Sequence, residues 1–154
     1  MRRMAAMLAV VLLVTGLTAV AAAAPKPQKI SVTMTDFKFT PNKVAATVGT
    51  PIELTLINKG KVEHEFMVYP APKTAPADWD EYLIPNTYFQ NMGEVEVEFA
   101  GQGAVAGTSL FEVEVKPGKR ATVHFTPNKK GTFEIGCHVE GHYEAGMKGI
   151  LTVK

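Results

Sequence analysis

The chain has 154 residues, 46% of them hydrophobic and 20% charged, a balance that suits one globular domain and argues against intrinsic disorder. With 16 Lys+Arg against 15 Asp+Glu the formal charge is +1, and no basic block occurs, so nothing favours nucleic acid as a partner. The single cysteine excludes an internal disulfide framework.

Residues 1–24 read as an export signal. Arg2 and Arg3 precede an uncharged run from Met4 to Ala24, and its small-residue end, Ala19-Val20-Ala21-Ala22-Ala23-Ala24, suits a signal peptidase. No cysteine follows the run, which excludes a lipoprotein anchor. The run is just long enough to span a bilayer, so an uncleaved anchor is the alternative, and the membrane would be met only through this segment. Residues 25–154 then form one domain in the periplasm or the external medium. There an unpaired cysteine needs an explanation, and metal ligation is a good one.

Those residues read as β almost throughout. Ile30, Val32 and Met34 alternate with polar residues, as do Val44, Ala46 and Val48 before a turn at Gly49-Thr50-Pro51. Ile52, Leu54 and Leu56 continue the period of two up to Asn58-Lys59-Gly60, and Phe66 and Val68 lie in a run that stops at Pro70. Val95, Val97 and Phe99 alternate with Glu94, Glu96 and Glu98, an acidic row read as the wet face of a strand. Phe111 to Val115, Ala121 to Phe125, Phe133 to Ile135 and Ile150 to Val153 complete the set. The pattern predicts an all-β, antiparallel Greek-key sandwich of about eight strands. Residues 71–108 break the regularity and are expected as an irregular insertion between the two halves. Within it, Asp78 is placed to cap a short helix through Trp79, Tyr82 and Leu83 that Pro85 ends. Trp79, Tyr82, Tyr88 and Phe89 are read as that insertion's private core.

The chemistry concentrates late in the chain. Gly136-Cys137-His138-Val139-Glu140-Gly141-His142-Tyr143-Glu144-Ala145-Gly146-Met147 sets a thiol, an imidazole and a thioether at the spacing Cys-x4-His-x4-Met, on a loop between two strands. Gly141 and Gly146 let that loop fold back. His64, at the start of an apolar strand, is the candidate fourth donor. Two imidazoles and one thiolate (His64, His142 and Cys137), with Met147 as a weak axial donor, suit a blue copper site better than zinc or an iron–sulfur cluster. Against this, Cys137 alone reads as a buried apolar thiol, and Met147 as packing beneath the last strand. His124 sits between core-facing Val123 and Phe125 and is expected to face solvent. His138 should point away from Cys137 and receives no ligand role.

The Cys137–Met147 loop resembles the copper loop of the cupredoxins, the superfamily of small blue copper proteins. Asp36-Phe37-Lys38-Phe39-Thr40-Pro41, Val48-Gly49, Leu54 to Gly60 and His64-Glu65-Phe66 are similar to the first half of a bacterial member. The resemblance covers residues 30–68 and 118–154, and the ligand spacing is like that of rusticyanin. It implies one copper ion at the end of an eight-stranded sandwich, held by His64, Cys137, His142 and Met147, and electron exchange through the edge of His142. Val139, Tyr143, Ala145 and Gly146 are the candidate apolar collar around that edge. One departure is Glu65, where many members have Asn or Ser tying the two ligand loops together. An ionised carboxylate cannot donate that hydrogen bond, and its charge favours the oxidised centre.

The expected function is an exported one-electron carrier, with copper cycling between Cu(I) and Cu(II). Its partners would be transient redox proteins such as cytochromes or copper and haem oxidoreductases. The alternative is a copper-binding protein for delivery, buffering or resistance. Its weakness is that Met34, Met67, Met92 and Met147 form no cluster in the sequence. No enzyme activity is expected: with four histidines in the chain, only His124 and His138 remain for a second copper site.

Overall fold

A computed structural model describes residues 25–154; the expected export signal, residues 1–24, lies outside the described residues. The architecture is the expected β-sandwich. Eleven strands and one helix follow in the order β1 (Gln28–Thr35), β2 (Lys38–Thr40), β3 (Lys43–Ala46), β4 (Ile52–Asn58), β5 (His64–Tyr69), α1 (Trp79–Asn86), β6 (Val95–Phe99), β7 (Gly103–Gly107), β8 (Val113–Val115), β9 (Arg120–Phe125), β10 (Gly131–Gly136) and β11 (Lys148–Val153). One sheet runs β2-β1-β4-β9-β6-β7 and the other β3-β11-β10-β5-β8, so the chain crosses repeatedly between layers.

The period of two explains why these segments pair as they do. In β4 the residues Ile52, Leu54 and Leu56 are buried while Glu53, Thr55 and Ile57 are only half-buried, so one face of each sheet packs inward. The inner faces meet in one core that includes Val32, Met34, Phe39, Leu56, Phe66, Val97, Val123, Ile135 and Leu151. Two pairings depart from the antiparallel expectation: β1 with β4, and β11 with β3, are parallel. Each brings together strands separated by a crossing to the other sheet, which no local alternation reveals.

Residues 71–108 are more ordered than the irregular stretch expected from their prolines and glycines. α1 begins at the Asp78 N-cap, whose carboxylate accepts from the Glu81 amide at 3.1 Å, and Pro85 lies inside its last turn rather than beyond it. β6 pairs with β9, and β7 forms the sheet edge beyond β6. Tyr88 and Phe89 belong to the main core, while Trp79 and Tyr82 pack with Met67, Tyr69, Leu83 and Phe111 in a smaller cluster under α1. The aromatic residues therefore divide between two cores instead of forming a private one. Among the described residues no helix is long and apolar enough to cross a membrane.

Candidate metal centre

Strand pairing explains how His64 and Cys137 meet. β5 and β10 are antiparallel, with Val68 opposite Ile135 and Met67 opposite Gly136. Continued past the end of β10, that register brings Cys137 beside the first residues of β5. His64 opens β5 and also pairs with β8, opposite Val115. The turn before it is stapled by Asn58, which is 1% exposed. The Asn58 amide donates to the Val115 carbonyl at 2.6 Å and the Val62 carbonyl at 2.8 Å, and its oxygen accepts from the Gly60 amide at 2.8 Å. A buried side chain thus satisfies the backbone of the turn that delivers His64.

The second ligand segment closes on itself. The Cys137 amide donates to the Met147 carbonyl at 3.3 Å, and the Met147 amide donates to the His142 carbonyl at 2.9 Å. Gly141 and Gly146 have φ of +77° and +97°, a region that a side chain disfavours. The loop therefore gathers Cys137, His142 and Met147 at one end of the sandwich, and His64 arrives from the neighbouring strand.

The geometry brings the expected donors together. His64 Nδ1 lies 3.3 Å from His142 Nδ1, and Cys137 Sγ is 3.4 Å from His142 Nδ1 and 4.0 Å from His64 Nδ1. All three residues are buried, and so is Met147, which is 0% exposed. Burial pushes the Cys137 thiol above its ordinary pKa. Burial and the neighbouring His142 push the His64 imidazole below its own. Three buried donor atoms within 4.8 Å of one another form a site that a cation completes. Two imidazole nitrogens and a cysteine sulfur, with the buried Met147 on the same loop, match the donor types of blue copper.

Glu65 supplies what its carboxylate was expected to lack. Its backbone amide donates to Cys137 Sγ at 3.4 Å, and its carboxylate accepts from the His138 amide at 3.1 Å. The two ligand segments are tied after all, with the side chain as acceptor. Burial, opposed by the His138 amide, raises the Glu65 pKa.

Two features were not legible beforehand. Phe37, at φ +62° and 50% exposed, packs edge-on against His142 with ring centroids 5.2 Å apart. It covers an imidazole that is only 6% exposed. Phe37, from the β1–β2 turn, was not among the residues expected around His142, and Tyr143, which was, packs on His138 and Trp79. His138, read as a surface or supporting residue, is half-buried in an aromatic wall. It stacks on Tyr143 at 4.7 Å, lies 4.4 Å from the Trp79 ring, and has Nε2 2.8 Å from the Tyr69 hydroxyl. Burial lowers its pKa to about 4. His124 stays away from the centre, on the outer face of β9 with Nε2 3.7 Å from Glu98.

A cupredoxin-like domain model matches residues 5–77. A copper-resistant cuproprotein, CopI, of Pseudomonas aeruginosa is 28% identical over 145 residues, spanning 87% of this chain and 80% of that protein. The CopI of Rubrivivax gelatinosus is 26% identical over 133 residues, spanning 86% of this chain and 70% of that one. Among solved structures, a reduced auracyanin from Roseiflexus castenholzii aligns with a TM-score of 0.55 and 21% identity, covering 82% of this chain and 96% of its own. A multi-copper oxidase from Pediococcus acidilactici aligns at 0.59 and 13% identity, but this chain covers only 30% of it. These structural likenesses concern the fold.

Proposed function

We propose that the chain is a member of the cupredoxin-like family, an exported, non-enzymatic protein that holds one blue copper ion through His64, Cys137, His142 and Met147 and serves copper resistance. The convergence of His64 Nδ1, His142 Nδ1 and Cys137 Sγ within 4.8 Å of one another carries the copper reading. The two CopI relatives, each matched along most of its length, support the resistance role over a carrier role.

Bound copper supplies a one-electron couple. The protein's part is to hold a site that changes little between the two states. Cys137 and Met147 favour Cu(I), and the two imidazoles favour Cu(II). The Glu65 amide stabilises charge on the Cys137 sulfur. The half-exposed Phe37 ring packs edge-on against His142 and offers an apolar contact surface beside it.

A second reading, an electron carrier between cytochromes or copper and haem oxidoreductases, is favoured by that same buried, preformed donor set. Copper titration of the protein tests what both readings share. One equivalent of Cu(II) is expected to give an intense thiolate-to-copper band that Cys137→Ser abolishes; no such band defeats both. Deleting the gene from its host separates them. Copper sensitivity with unimpaired respiration supports resistance, and impaired electron flow at low copper supports the carrier.

A further inference from the structure

The nitrogen of His64 that faces away from the donor cluster is a loose end. Nε2 is buried and has no hydrogen-bond partner among the described residues. Asp36 Oδ1 stands 3.6 Å from it. That carboxylate is held in place, because the Lys61 amide donates to the same Oδ1 at 3.0 Å. Gly60 keeps the space beside the pair open. A Cβ there would lie 2.5 Å from His64 Nε2 and 2.6 Å from Asp36 Oδ1. Bare backbone at residue 60 and a tethered carboxylate at residue 36 both converge on a nitrogen that otherwise has nothing to bond.

Resting on the copper reading above, we propose that Asp36 is a positioning residue of the centre: its carboxylate holds His64 with the ring proton on Nε2 and the Nδ1 lone pair aimed at the ion, and its charge favours the oxidised state. Nδ1 is the nitrogen that faces His142 and Cys137, at 3.3 and 4.0 Å. If Nδ1 ligates, the ring proton must sit on Nε2, where a carboxylate is the matching acceptor. Such an acceptor orients a metal-bound imidazole and raises its basicity. A fixed negative charge close to the ion also stabilises Cu(II) more than Cu(I).

The test compares Asp36→Asn and Gly60→Ala with the wild-type protein. Asn keeps an oxygen for the Lys61 amide and removes the charge. Ala keeps the charge and wedges the carboxylate away from the ring, and it serves if the first variant does not fold. In both, Cu(II) affinity is expected to fall about tenfold with Cu(I) affinity nearly unchanged. That raises the midpoint potential by about 59 mV. Equal losses for both oxidation states, or an unmoved potential, overturn the proposal, since a merely structural role lowers both affinities alike. Imidazole-nitrogen NMR of the metal-free protein gives a second reading: wild-type His64 should carry its proton on Nε2, and a proton on Nδ1 overturns the proposal. A wild-type protein that takes no copper defeats the function instead, and is seen before either variant is made.

Discussion

The Glu65 amide points at the Cys137 sulfur across 3.4 Å, while the Glu65 carboxylate receives the amide of the following residue, His138, at 3.1 Å. One residue next to a proposed ligand thus grips both the sulfur and the backbone of the opposing loop. The first bond survives any side chain except proline, because it belongs to the main chain. The second belongs to the carboxylate alone.

Glu65→Ala is therefore expected to separate the two. It leaves the His138 amide without its acceptor, at a cost of about 1–2 kcal/mol in a half-buried setting. Urea unfolding of the metal-free protein should report that loss. The copper band of the loaded protein should persist, because the amide–sulfur bond remains. A variant as stable as wild type would show that water replaces the carboxylate without penalty.

Asn58 is the residue on which delivery of His64 depends. Asn58→Ala removes both donations, to Val115 and Val62, and the acceptor of the Gly60 amide. The expected destabilisation is about 2–3 kcal/mol, read by thermal or urea unfolding. Copper affinity should fall with it, because the turn from 58 to 62 loses its anchor.

Phe37 covers His142 but is itself 50% exposed, so little apolar area is lost when it is trimmed. Its φ of +62° is also unfavourable for a bulky residue. Phe37→Ala should leave the unfolding free energy within about 1 kcal/mol of wild type. Release of Cu(I) to a competing chelator, followed by stopped flow, should accelerate. Unchanged release kinetics would mean that the edge of His142 is guarded by the loop rather than by the ring.

An acidic group beside the centre gives a pH signature. Glu65, Glu112 and Glu114 bring carboxylate oxygens within 4.8 Å of one another. Burial first, and Glu65 next, push the Glu112 pKa from 4.5 up to about 7. A carboxyl whose pKa is raised on folding binds more protons in the native state, so stability falls as pH rises between those two values. Replacing it by Gln removes the dependence. The stability of Glu112→Gln relative to wild type should increase as pH rises from below 4.5 to above 7, measured by urea unfolding across that window. A constant difference would show that Glu112 titrates as an ordinary surface group.

Much of this was written in the primary order of residues. Alternation of period two marks β4, β6 and β9 because one face of each is wet, and the Cys137–Met147 loop displays its three donors within eleven positions of chain, with Gly141 and Gly146 at the bends. Asp78 announces its helix because a cap is a local hydrogen bond. What only the tertiary structure decided are the relations between distant segments. The parallel pairing of β1 with β4, the place of β6 within a sheet, the division of Tyr88 and Phe89 from Trp79, the ring of Phe37 on His142, and the carboxylate of Asp36 beside His64 all join residues that no local pattern couples. Local periodicity reports which face of a segment avoids water. Which segment covers that face is chosen by packing and register across the whole molecule, and those are long-range properties.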